Sequence, residues 1–378
     1  MHKVYTIRVV DRKEQEMTKY TVAVAGATGY AGGEALRILA MHPNFEVTCV
    51  AGHSSVGDRL GAHMPHIPQY ADLIVEDTSA DVLNGHDVII LALPHGASGA
   101  LAARLDPNAV VVDLGADHRL ESKQAWDDYY GGDFYEAWTY GMPELIVGRG
   151  QLGSYTRQRE SLPDATRIAG PGCNVTAVTL AMQPALAEGI VKPKTLTADL
   201  AVGYSGAGKN LKRTNLLAAE AFGSATPYGV GGTHRHIPEI LQNLAHAGGF
   251  ADTDALRLAF TPMLVPMARG ILAVVGGEMT DHAAALSDDE IHRIWADAYA
   301  RQEFISVLPA GTLPATANVV GSNAAHVQVV ADRRAGRLIA FAAIDNLNRG
   351  TAGQAVQSLN IALGLPEDAG LTKIGVAP

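Results

Sequence analysis

Only two cysteines, Cys49 and Cys173, occur in the 378 residues. That excludes a disulfide-stapled scaffold and leaves each thiol to be explained on its own. A surplus of basic residues is also missing: Lys plus Arg number 29 against 39 for Asp plus Glu, a net charge of −10, which argues against nucleic acid as a partner. No apolar run approaches the roughly 18 residues of a membrane span. Val4–Val10 is too short for a secretory signal and runs straight into Asp11-Arg12-Lys13-Glu14, so a cytoplasmic protein is expected. Internal repeats and low-complexity tracts are absent as well. What is plentiful is apolar residues (47%) and glycine (40 residues), enough for sizeable cores joined by many tight turns. The length itself predicts two domains.

From Thr21 to Leu114 strand-like and helix-like segments alternate. Thr21–Ala25, Phe45–Val50, Val88–Leu93 and Val110–Leu114 read as strands, and Gly32–Met41 as a helix stopped by Pro43. Strands that are apolar throughout belong to a parallel sheet covered on both faces, so the fold class is α/β, with an N-terminal Rossmann-type sheet. Trp126–Tyr140 reads as a loop. A second, α+β region begins near Ile168. Its strands are expected at Thr195–Val202, Arg257–Pro262 and Gly270–Gly276, and its helices at Leu211–Phe222 and Asp288–Tyr299. Asp345–Leu363 reads as a final helix.

Between the first strand and the first helix lies Gly26-Ala27-Thr28-Gly29-Tyr30-Ala31-Gly32. Glycines let the backbone turn sharply and approach a pyrophosphate, whose charge the first amides of the helix receive. The spacing is G-x-x-G-x-x-G, and its position after a strand and before a helix is what a dinucleotide site requires. The second strand runs into Ala51-Gly52-His53-Ser54-Ser55 without the acid that would hold an NAD ribose. Ser54, Ser55 and nearby Arg59 suit a 2′-phosphate instead, so the expected cofactor is NADP(H). Leu93-Pro94-His95 ends another strand and is expected beside it.

Cys173 follows Gly170-Pro171-Gly172 and precedes an apolar helix-like stretch, so it is expected at a helix N-terminus, where positive potential favours the thiolate. Cys49, inside an apolar strand, reads as a buried structural thiol. A nucleophilic cysteine needs a proton carrier, and Gly231-Gly232-Thr233-His234-Arg235-His236 supplies two histidines and an arginine in one loop. Zinc is disfavoured, since no H-E-x-x-H occurs and no second cysteine lies close by, so no metal is expected. Gly203–Lys209 nearly spells a Walker A loop, but Asn210 stands where a Mg²⁺-binding Ser or Thr is required. An anion-binding loop using Lys209 is the preferred reading over a P-loop NTPase.

Taken in order, the glycine turn, Leu93-Pro94-His95-Gly96, Tyr140-Gly141-Met142-Pro143-Glu144, Gly172-Cys173, Ser205–Lys209, His234-Arg235-His236, Gly321-Ser322-Asn323 and Asp345-Asn346-Leu347 resemble the N-acetyl-γ-glutamyl-phosphate reductase family. The resemblance runs from about Tyr20 to Pro378. It implies NADPH-dependent reduction of N-acetyl-glutamyl phosphate to the semialdehyde plus phosphate, by way of a thioester, in a homodimer or homotetramer. It maps the nucleophile onto Cys173 and the acid/base histidine onto His234, with His236 as the alternative. Asn174 and the Cys173 amide are candidate oxyanion donors, and Arg119, Lys209, Arg213 and Arg235 are candidate anion binders. Asn346 falls on the cofactor side. The implied organisation is an extension at residues 1–19, an NADP-binding domain at 20–167, a catalytic and oligomerisation domain at 168–344, and a helix and tail at 345–378 returning to the first domain. One departure is Asn174-Val175, where relatives commonly carry Tyr-Pro. The competing readings are an aspartate-semialdehyde dehydrogenase and a non-catalytic, NADP-sensing Rossmann protein.

Overall fold

The computed structural model describes residues 19–149, 154–209 and 218–377. The expected extension, except Lys19, lies outside the described residues, as do Arg213 and most of the helix expected from Leu211. The first half runs β1 (Tyr20–Ala25), α1 (Tyr30–Leu39), β2 (Phe45–Gly52), β3 (Val75–Asp77), α2 (Ala80–Leu83), β4 (Val88–Leu91), α3 (Gly99–Ala102) and β5 (Val110–Asp113). It continues with α4 (Lys123–Tyr129), β6 (Thr139–Tyr140), β7 (Ile146–Arg149), β8 (Tyr155–Arg157) and β9 (Arg167–Ala169). The second half contains α5 (Cys173–Ala187), β10 (Leu196–Gly203), α6 (Ala218–Ala221), β11 (Thr226–Pro227), α7 (Ile237–Gly248), β12 (Leu258–Val265) and β13 (Ile271–Glu278). After these come α8 (Asp281–Ala285), α9 (Asp288–Tyr299), β14 (Ile305–Val307), β15 (Ala325–Asp332), β16 (Arg337–Ile344) and α10 (Gly353–Ala362).

The apolar runs pair as their composition predicts. The first sheet has the order β3-β2-β1-β4-β5-β9-β6 and is parallel throughout. Successive residues of β1 serve opposite faces: Val22 and Val24 pack with α1 and α10, Ala23 and Ala25 with α2 and the segment after α3. The second sheet, β11-β12-β10-β13-β16-β15-β14, is mixed. Across one face of it lies α5, whose residues 174–187 are all buried. A helix buried on every side is a core helix, and it carries Cys173 as its first residue.

Three local expectations change. Trp126–Tyr129 is helical rather than loop, because Ser122 Oγ accepts the Ala125 N–H as an N-cap and the Trp126 ring is buried against Tyr130. Thr139 and Tyr140 leave the expected loop as well: they form β6 and pair with β9 at the edge of the first sheet. The expected final helix is interrupted. The Asp345 carboxylate accepts the Leu347 and Asn348 N–H groups, Asn348–Ala352 forms a π-turn, and only then does α10 begin. Ala355, Val356 and Leu359 of α10 pack into the core of the first sheet.

Candidate functional site

At the carboxyl ends of β1, β2 and β4 the glycine turn opens onto a cavity of about 830 Å³. This is where a doubly wound sheet binds its ligand. Gly26 has φ +77°, and a Cβ there would lie 2.2 Å from the Ala92 carbonyl oxygen. A Cβ on Gly32 would lie 2.2 Å from the Gly26 carbonyl oxygen, so Gly32 seats the helix on the turn and does not line the cavity. No side chain caps α1, which leaves its first amides available to an anion. Thr28, Gly29, Tyr30, Ala31, Ser54, Leu93, Pro94, His95 and Asn346 line the cavity, together with His53 and Thr78. Ser55 is buried beneath it, its hydroxyl 3.2 Å from that of Thr28. Arg59 is drawn away by Asp72 and does not line the cavity. Asn346 is held by Ser205 Oγ and by the Gly270 N–H.

The other wall is built around Cys173. β9 ends in the Gly170-Pro171-Gly172 turn, and α5 starts immediately after it. Cys173, Arg119, Lys209 and His236 all line the same cavity as the glycine turn. The helix-end position is as expected, but the thiol moves the opposite way. Burial pushes it up to about 11, against the pull of the Asn174 and Cys173 backbone N–H groups and of Arg119. Loss of water outweighs the helix-end amides.

The histidines divide. A Cβ on Gly172 would lie 2.7 Å from Nε2 of His236, so that imidazole sits directly on the turn before Cys173. Its Nδ1 is buried without a partner among the described residues. Burial, then His234, Arg119 and His95, hold His236 well below the ordinary histidine range, so it is neutral at pH 7. His234 is not in the cavity wall. Its ring lies among Tyr228, Phe260 and His236, and its Nδ1 accepts the His236 backbone N–H at 3.0 Å. His234 therefore braces His236.

The candidate anion binders also separate. Arg119 is buried and occupied: Nε donates to Gly170 O (2.6 Å), Nη2 to Leu114 O (2.7 Å), and Nη1 lies 3.5 Å from Glu239. Lys209 is exposed, its Nζ 3.4 Å from Thr28 O. Arg235 lies over the Tyr130 ring, outside the cavity wall. Asn174 is buried, with its amide 3.4 Å from Tyr228 and its Oδ1 without a partner among the described residues.

Two residues beside Cys173 escaped the sequence reading, as did Thr78 on the cofactor side of the cavity. Glu239 is fully buried and accepts the Gly172 N–H at 3.0 Å. Gly350 in the π-turn touches Cys173: a Cβ there would lie 2.7 Å from that of Cys173. A glycine inside a helical pattern is the one signal that pointed to the second.

The parallel sheet with its glycine turn, joined to a mixed-sheet domain that presents a cysteine to the same cavity, defines a semialdehyde dehydrogenase. Residues 21–149 match the family model "Semialdehyde dehydrogenase, NAD binding domain" and residues 173–346 match "Semialdehyde dehydrogenase, dimerisation domain". The chain is 74% identical over 364 residues to the N-acetyl-gamma-glutamyl-phosphate reductase of Bifidobacterium longum, covering 96% of this chain and 100% of that one. It is 51% identical over 359 residues to that of Leifsonia xyli, covering 95% and 99%. The chain belongs to the N-acetyl-γ-glutamyl-phosphate reductase family. Among solved structures, aspartate semialdehyde dehydrogenase with NADP from Candida albicans shares the fold at TM-score 0.64 and 15% identity, covering 91% of this chain and 98% of that one. Aspartate semialdehyde dehydrogenase II from Vibrio cholerae does so at 0.63 and 14%, with the same coverage.

Proposed function

We propose that the chain reduces N-acetyl-L-glutamyl 5-phosphate to N-acetyl-L-glutamate 5-semialdehyde and phosphate, with NADPH as reductant. The observation that carries this is the meeting of Cys173 and His236 on the wall of the cavity that the glycine turn opens. The residues fit a dinucleotide: the turn leaves no room for a Cβ at Gly26, and the first amides of α1 are uncapped. Thr28, Gly29 and Tyr30 would hold the pyrophosphate, and His53 and Ser54 the ribose end. The lack of an acid after β2 favours NADP(H) over NAD(H).

Neutral His236 accepts the Cys173 proton as sulfur attacks the acyl carbon, so the raised thiol is ionised only when substrate is present. The carbon–oxygen bond to phosphate breaks and a thioester remains on Cys173. NADPH, when bound, supplies the hydride that reduces this carbon. His236 returns its proton to the resulting oxyanion; as the carbon–sulfur bond breaks, with its electron pair going to sulfur, His236 takes the hydroxyl proton and passes it to the sulfur, which releases the aldehyde and restores the Cys173 thiol. The Cys173 amide at the start of α5 would donate to the oxyanion. Lys209 lines the cavity with no carboxylate partner among the described residues, and it suits the substrate's phosphate or carboxylate.

Residues 20–167 would serve the cofactor, 168–344 the chemistry and self-association, and 345–378 would close back on the first domain. Homo-oligomerisation is in keeping with the dimerisation-domain match. Among the described residues no helix is long and apolar enough to cross a membrane, in keeping with a cytoplasmic enzyme. Cys173→Ala should abolish phosphate-dependent oxidation of the semialdehyde while leaving NADPH binding intact. His236→Ala should lower turnover by about a hundredfold or more, and His234→Ala by less. Turnover in the cysteine variant at the wild-type rate would refute the covalent route.

A further inference from the structure

We propose that Asp117 is a positioning residue for the cofactor: it clamps the cavity-lining loop after β4 and fixes that loop to the segment that carries Arg119. The proposal rests on the reading of the cavity as the place where NADPH meets Cys173.

Leu93, Pro94, His95 and Ala97 line the cavity that the glycine turn and Cys173 share, yet β4 itself ends at Leu91. The loop that carries them turns at Gly96, whose φ is +84°. Its N–H groups converge on the carboxylate of Asp117, which is 1% exposed. Oδ1 accepts the Gly96 N–H at 2.7 Å, and Oδ2 accepts those of Ser98 at 3.0 Å and Gly99 at 2.9 Å. The Ala97 N–H goes to Pro94 O at 3.1 Å. Every amide from Gly96 to Gly99 is thus engaged within the protein. A buried carboxylate is tolerable only when its oxygens are hydrogen-bonded, and Asp117 commits three charge-assisted bonds to this one loop.

Asp117 lies four residues beyond β5, in the segment that leads to Arg119. Arg119 Nε holds Gly170 O, three residues before Cys173, and the Gly170 N–H is bonded to Asp113 O at 2.8 Å. A second tie runs beside the first. Ser98 Oγ donates to Asp113 Oδ2 at 2.6 Å, and Asp113 Oδ1 accepts the Gly115 N–H at 2.7 Å. Among the described residues no backbone hydrogen bond joins residues 94–99 to residues 114–119; Asp117 does. The cofactor's wall and the turn that carries the thiol are therefore fixed to one stretch of chain. Hydride transfer needs its two carbons about 3–3.5 Å apart, and a clamp common to both sides sets that separation.

In the wild type without cofactor, the amides of Gly96, Ser98 and Gly99 should exchange slowly with deuterium. Asp117→Asn keeps the size of the side chain but turns an NH₂ group toward these donors. Its Kd for NADPH, from fluorescence titration, should rise about tenfold, because the loop must then be ordered on binding. At saturating NADPH, single-turnover reduction of N-acetyl-glutamyl phosphate should slow about tenfold or more. Arg119 keeps its hold on Gly170, so iodoacetamide alkylation of Cys173 should proceed at the wild-type rate. A purely structural role would lower Tm and leave Kd and the single-turnover rate in place. Fast exchange in the wild type overturns the proposal. So does a wild-type Kd, a wild-type single-turnover rate, or alkylation slowed to the same degree in the folded variant. If Asp117→Asn does not fold, the exchange measurement carries the test together with Asp117→Glu. The glutamate reaches further by one carbon–carbon bond, about 1.5 Å, and should raise Kd likewise. Failure of NADPH to bind the wild type would instead sink the reading of the cavity, so the two failures are distinguishable.

Discussion

Replacing Gly350 by alanine tests whether the π-turn sets the position of Cys173, the proposed nucleophile. The new Cβ would lie 2.7 Å from Cβ and 3.1 Å from Cα of Cys173. Ordinary carbon–carbon contact begins at about 3.5 Å, so one of the two backbones must retreat by about 1 Å. Neither has an easy direction. Cys173 begins the first turn of a core helix whose residues 174–187 are buried. The π-turn is pinned on either side: Asn348 by Glu34 and the Asp345 carboxylate, and Arg349 by Glu144 and Gln357, with Arg349 fully buried. A misplacement of about 1 Å at a reacting atom costs on the order of a hundredfold in rate, and overpacking of this kind costs about 1–3 kcal/mol of stability. Gly350→Ala should therefore fold with a lowered Tm, bind NADPH normally, and reduce kcat by about a hundredfold. Stopped-flow kinetics with a fluorescence titration of NADPH would measure both. A kcat within about threefold of wild type in the folded variant would refute the reasoning.

The charges around the cavity give two further predictions. Glu34 of α1 is buried and paired with Arg37 and Arg269, and although burial opposes its charge, these partners lower it from 4.5 to about 2. That gap corresponds to about 3 kcal/mol. The contribution is fully present above pH 4.5 and is lost as the pH falls from there through about 2. Glu34→Gln should therefore be destabilised at pH 7 and nearly indistinguishable from wild type below about pH 2. An equal deficit at both pH values in urea unfolding would contradict this. Arg59, engaged by Asp72 outside the cavity wall, should be replaceable by alanine without a change in the NADPH-to-NADH preference. A loss of preference in Arg59→Ala would restore it to the 2′-phosphate site.

The parallel sheet was legible because its strands are buried on both faces, and burial on both faces writes itself as unbroken apolar runs such as Val88–Leu91. The glycine turn was legible because a backbone that must pass 2.2 Å from where a Cβ would be admits no other residue. Cys173 at a helix start followed from its place between two glycines and an apolar stretch. These are local properties, carried by neighbours in the chain.

What tertiary structure alone decided are matters of distance between segments far apart in sequence. Which of two histidines two residues apart shares the cavity with Cys173 depends on how α7 docks on the Gly170–Gly172 turn. Arg119 reads as a free cation until the fold surrounds it with two carbonyls and Glu239. The thiol's affinity for its proton depends on how much water the assembled walls exclude, and there dehydration overrides the helix end that the sequence announces. Hydrophobic pattern and backbone geometry act within a few residues, whereas solvation and charge pairing act through space and exist only once the chain has folded.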